Sequence, residues 1–153
     1  MNLISESVID QYLDRYENES NFLQDLSQLT NEQADLMAFI SQENNSLLTQ
    51  HELALLEYLT VVIYFSGKRV MDSIKINGND LEKAEEKNWE IFNEHPSKNF
   101  TKKLDIFFEN YQQEDLLALV EDSIQADEEE MVTPIGKEII FVACKSIIDV
   151  ING

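Results

Sequence analysis

One cysteine, Cys144, two prolines and four glycines occur in 153 residues. A lone cysteine excludes an intramolecular disulfide and a cysteine-ligated metal cluster, and it fits a reducing, cytoplasmic compartment. So little Gly and Pro leaves few of the turns that punctuate strands and hairpins. Basic residues are missing from whole stretches: Arg15 is the only one in residues 1–67, and residues 104–136 have none. Long apolar runs are absent too. The longest, over 53–65, is broken by Glu57 and Thr60, and a bilayer span needs roughly twenty apolar residues. Met1-Asn2-Leu3-Ile4-Ser5-Glu6 carries neither the positive charge nor the apolar stretch of a secretory signal.

What the chain has is acid. Thirty Asp and Glu stand against eleven Lys and Arg, for a net charge of −19. The excess is uneven. Residues 1–60 hold eleven acids against one base, and residues 105–136 hold ten against none. Residues 61–104 carry eight bases against seven acids, and the last seventeen residues balance. Clustered like charge sets a long-range field that attracts basic surfaces. The same field repels a phosphate backbone or an anionic membrane, so neither nucleic acid nor membrane is an expected partner. The charge does not imply disorder, because 43% of residues are apolar, with eight Phe and five Tyr. A chain of this length can bury roughly two-thirds of its unfolded surface in one domain. We expect a single acidic all-helical domain over 1–153.

Helical spacing recurs throughout. Val8, Ile9, Tyr12, Leu13 and Tyr16 share one face, and Phe22, Leu23, Leu26 and Leu29 follow after a polar break at 17–20. Thr30-Asn31-Glu32-Gln33 has the spacing of a capping box before Leu36, Met37, Phe39 and Ile40, and 41–46 reads as a polar loop. A second capping box, Thr49-Gln50-His51-Glu52, opens a central helix over about 50–74. Its polar positions Glu57, Thr60, Tyr64, Lys68 and Asp72 make one narrow strip, which implies enclosure on most other sides. Gly67 marks a close-packing or kink position.

Asn77-Gly78-Asn79 reads as a turn ending that helix. A charged helix over 81–93 closes at His95-Pro96. Phe100, Leu104, Phe107, Phe108 and Tyr111 form the next face, and Leu116, Leu117, Leu119, Val120 and Ile124 another. Residues 127–130 read as an acidic loop or a frayed helix end. Thr133-Pro134 pairs an N-cap hydroxyl with proline at the first helical position, starting a strongly apolar last helix over about 134–151. The expected fold is all-α: a compact irregular bundle of six to eight helices around the two buried helices at about 50–74 and 134–151.

Motifs of chemistry are scarce. Neither His51 nor His95 has a Glu three residues before it, so the Glu-x-x-His pair of carboxylate-bridged metals is missing. Residues 122–130 lack the alternation of a calcium loop. Cys144 sits in an apolar helix, where desolvation quenches a thiol. Ser66-Gly67-Lys68 lacks the earlier glycine of a phosphate loop. No metal, cofactor or catalytic residue is therefore assigned.

Four polar groups are candidates for a ligand site between the central and last helices: Glu57, Tyr64, His95 and Lys145. Glu57 interrupts an apolar run, although its place on the polar strip favours a part-exposed edge, and a Glu57–Lys145 pair has opposite charge alone in its favour. His95 also reads simply as a helix-ending histidine. Lys98, Lys102 and Lys103 should surround a helix start, either binding an anion or offsetting the acid; the second reading is favoured. The leading functional expectation is a non-enzymatic interaction module that docks a basic protein or serves as a subunit of an assembly. A small-molecule-binding bundle is the alternative, and self-association stays open.

Overall fold

The computed structural model describes residues 3–42, 47–125 and 132–152. Among the described residues there are eight helices and no strand. In chain order they are α1 (Glu6–Arg15), α2 (Glu19–Glu32), α3 (Ala34–Gln42), α4 (Gln50–Val70), α5 (Gly78–Glu94), α6 (Phe100–Phe108), α7 (Glu114–Gln125) and α8 (Pro134–Asn152). No helix among them is long and apolar enough to cross a membrane.

Two helices carry the core, as their composition requires. Every residue of α8 over 139–148 is buried, as is every residue of α4 over 59–67. A helix apolar on all sides must be surrounded, and these are. α8 packs on α4, α5 and α7; α4 also takes α1 and α2, while α3 bridges α2 and α5. Two buried hydroxyls in these helices are satisfied locally, whereas Ser66 Oγ has no hydrogen-bond partner among the described residues. Thr60 Oγ1 donates to the Leu56 carbonyl and Ser146 Oγ to the Val142 carbonyl, each at 2.7 Å. Gly67 is a close-packing position: a Cβ there would lie 3.1 Å from Ile151 Cγ2 and 3.3 Å from Ile74 Cδ1.

Several local signals are used differently from their sequence reading. The box at Thr30 opens no helix. Thr30 lies inside α2 and its hydroxyl donates to the Leu26 carbonyl at 2.8 Å, while Glu32 is drawn to Tyr64 and Lys68. α4 stops at Val70, short of 74. Asn77 caps the start of α5, its side chain accepting from the Asp80 N–H at 2.8 Å, instead of turning the chain out of α4. The strip on α4 is no continuous exposed edge: Thr60 and Tyr64 are buried, Glu57 is half-buried and only Lys68 within the helix is exposed. α6 ends at Phe108 and Asn110 takes a left-handed φ of 54°, which asparagine tolerates. Tyr111 therefore leaves the α6 face and turns to α8. The loop at 43–46 and the acidic run at 127–130 lie outside the described residues.

Candidate functional site

The two acidic stretches of the chain meet where α1 lies against α7. The N–H of Glu6 donates to Asp115 Oδ2 at 3.1 Å, which ties the first turn of α1 to the first turn of α7. Both turns are acidic, which suits the positive end of each helix. Helical spacing sets Glu6 and Asp10 beside Ile9 and Leu13 on α1, and Asp115 and Asp122 beside Leu119 on α7. These residues line a cleft of about 250 Å³. None of its four carboxylates has an ion pair among the described residues.

The negative field continues past the cleft. Burial pushes the Glu121 carboxyl above its ordinary value, and the like charges of Asp122 and Asp105 push it further. Asp105 and Asp122 are both exposed. Asp105 of α6 is thus within electrostatic reach of Glu121 on α7. The cleft between α1 and α7, with apolar side chains among its acids, can hold a cationic segment that also presents an apolar residue.

The four candidate residues lie in four separate settings. Glu57 lines a mainly apolar cleft of about 310 Å³ with Met37, Ile40, Leu53 and Leu56. The Tyr64 hydroxyl donates to Glu32 Oε1 at 3.0 Å and accepts from Gln33 Nε2 at 3.2 Å; burial raises its ionisation above the usual range. The His95 ring caps the end of α5, with Nδ1 accepting from the Ser97 N–H at 3.1 Å. Lys145 is buried and faces α5. Its ammonium donates to both oxygens of Asp149, at 2.8 and 2.9 Å, and to Asn88 Oδ1 at 3.3 Å. Asp149, not Glu57, is its carboxylate.

The tertiary pairings of three polar centres had no sequence signal of their own. The most enclosed carboxylate is Glu52, which is fully buried. Its Oε1 accepts from the Thr49 N–H at 2.8 Å; its Oε2 accepts from the Thr133 N–H at 2.6 Å and the Thr133 hydroxyl at 2.8 Å. Burial pushes this carboxyl up, but those donors outweigh it and hold it below the ordinary range. One carboxylate thereby joins the N-termini of α4 and α8. Gly136 completes the junction, since a Cβ there would overlap the Glu52 carboxylate. The second centre surrounds Lys145. Asn88 donates to Ser146 Oγ and to Asp149 Oδ2, both at 3.0 Å, and the Tyr111 hydroxyl donates to Asp149 Oδ1 at 2.7 Å. The third is Asp25, held by Arg15 at 2.9 and 3.0 Å and by the Tyr16 hydroxyl at 2.7 Å. Each is saturated with internal partners and accounts for position more readily than for chemistry.

Among the described residues no three His, Cys, Asp or Glu side chains group so as to hold a metal ion. Comparison with protein-family models, with curated proteins and with solved structures found no match to this chain.

Proposed function

We propose that this chain is a non-enzymatic protein-interaction module whose α1/α7 face docks a basic amphipathic segment of a partner protein. The observation that carries the reading is the cleft where Glu6, Asp10, Asp115 and Asp122, with no ion pair among the described residues, surround Ile9, Leu13 and Leu119. Elsewhere Asp25, Glu32 and Asp149 are ion-paired. Exposed carboxylates left together cost self-repulsion, which a cationic partner relieves. Apolar side chains among them favour a segment with Lys or Arg around a Leu-sized residue over a structureless polycation. Opposite potentials would speed its encounter and make it salt-dependent.

The test is a titration of the purified protein with a helical peptide of alternating Lys and Leu turns, beside a scrambled peptide of equal charge. Asp10→Lys with Asp122→Lys should weaken the helical peptide by roughly a hundredfold, about 2.7 kcal/mol. Glu86→Lys with Glu90→Lys, on α5, should change it by less than about threefold through bulk charge alone. Equal binding of the scrambled peptide, or equal loss in the α5 variant, would contradict the reading.

A further inference from the structure

The chain's other conspicuous electrostatic feature has the opposite sign. Lys98, Lys103 and Lys137 line one cleft of about 320 Å³, where the start of α6 meets α5 and the start of α8. Arg15, Lys68 and Lys145 have a carboxylate within 3 Å, and the other eight Lys and Arg have no ion pair among the described residues. None of the three cleft lysines has an ion pair among the described residues, although Glu138 also lines the cleft. Lys103 and Lys137 are moreover half-buried, so part of their hydration is lost with no ion pair in return among the described residues.

The remaining walls add two kinds of contact. Phe92 and Phe100 line the cleft, and the Lys103 ammonium is held 4.4 Å from the Phe92 ring centroid. Thr101 lies in the first turn of α6, where backbone N–H groups lack intrahelical acceptors. Three ammonium groups favour a ligand bearing at least two negative charges, and lysine serves phosphate as a point charge. Aromatic walls favour an apolar group attached to it. A volume near 300 Å³ is the lower end of small-molecule sites. We propose that this cleft binds a small organic phosphate, a phosphomonoester of an aryl or short alkyl group, through Lys98, Lys103 and Lys137. The proposal stands apart from the acidic docking face, which takes a ligand of opposite charge on other helices.

The probe is phenyl phosphate, titrated into the full chain by calorimetry and by amide chemical shifts, with inorganic phosphate and phenol as the two half-ligands. Saturable binding is expected, with shifts centred on Phe100 and Thr101, and with each half-ligand at least tenfold weaker. Lys103→Gln with Lys137→Gln should weaken phenyl phosphate at least tenfold, while Lys102→Gln, on the exposed side of α6, should leave it within twofold. Unchanged helicity of the variants by circular dichroism keeps a folding defect from imitating the loss. Absence of saturation up to roughly 10 mM, equal affinity for inorganic phosphate, or an equal loss with Lys102→Gln would each overturn the proposal. None of these results bears on peptide binding at α1 and α7, so the two readings fail separately.

Discussion

The junction at Glu52 and the cleft between α1 and α7 both place carboxylates at helix starts, Glu52 at the one and Glu6 and Asp115 at the other, yet they hold charge in opposite ways. At the junction one carboxylate is fully buried and accepts from Thr49 and Thr133, so two helix N-termini share a single negative charge. At the cleft four carboxylates gather with one backbone donor, from Glu6 to Asp115, and no cation among the described residues. The first arrangement is complete in itself and serves the fold. The second is electrostatically incomplete. Where a protein leaves like charges together, the folded chain bears repulsion that a partner can remove. Burial and saturation therefore separate the acids that build this molecule from those available to something else.

Removing the junction charge should have the largest effect. Glu52→Gln sets an amide NH₂ against the Thr133 or the Thr49 donors, and should cost about 3 kcal/mol in urea unfolding at neutral pH. Gly136→Ala reaches the same junction from α8. Its methyl would displace a carboxylate held by three donors, for a loss of about 2 kcal/mol by the same measurement. A loss below about 0.5 kcal/mol in both would mean that Glu52 does not join α4 to α8.

The two regions should also respond oppositely to pH. Glu52 is held below its ordinary value of 4.5, so its contribution is full above that pH and is lost as pH falls through the lower folded value. The stability gap between the natural protein and Glu52→Gln should thus be constant near neutrality and shrink below about pH 4.5. Glu121 is raised above 4.5 by burial and by Asp122 and Asp105, so the folded state favours its protonated form. Its contribution to stability is present below 4.5 and lost as pH rises through the folded value. Glu121→Gln should accordingly stabilise the protein at pH 7 and make no difference at pH 4.

The smallest effect is expected at the cleft itself. Asp122→Asn removes one exposed repulsive charge and should raise Tm by about 1 °C at low salt. The gain should vanish near 1 M salt, where screening acts within about 3 Å. A fall in Tm would place Asp122 among the acids that support the fold and would undo the contrast.

The parts of the fold written locally were legible in the sequence. Thr49 and Glu52 form the reciprocal box their spacing announces, and Thr133-Pro134 starts α8. The two enclosed helices follow from apolar runs too broad for one face. Signals with two uses were harder. Asparagine suits a turn and an N-cap equally, so Asn77 gave no direction. Thr30 and Glu32 have capping-box spacing, but Glu32 finds Tyr64 and Lys68, 32 and 36 residues away. Asn88 is paired with Ser146 and Asp149 across 58 and 61 positions, which no periodicity records. The cleft shows the same division. Two acidic stretches stand out in the composition, whereas their meeting at Glu6 and Asp115, 109 positions apart, is a product of the tertiary fold.

The contrast between saturated and unsatisfied acid is tested most directly by mapping amide chemical shifts while the Lys/Leu helical peptide is added at physiological salt. Saturable shifts are expected to concentrate on α1 and α7, around Asp10, Leu13, Asp115 and Leu119, with the amides of Glu52 and Thr133 unmoved. Shifts spread evenly over the exposed acids, or concentrated on α5 instead, would contradict that contrast.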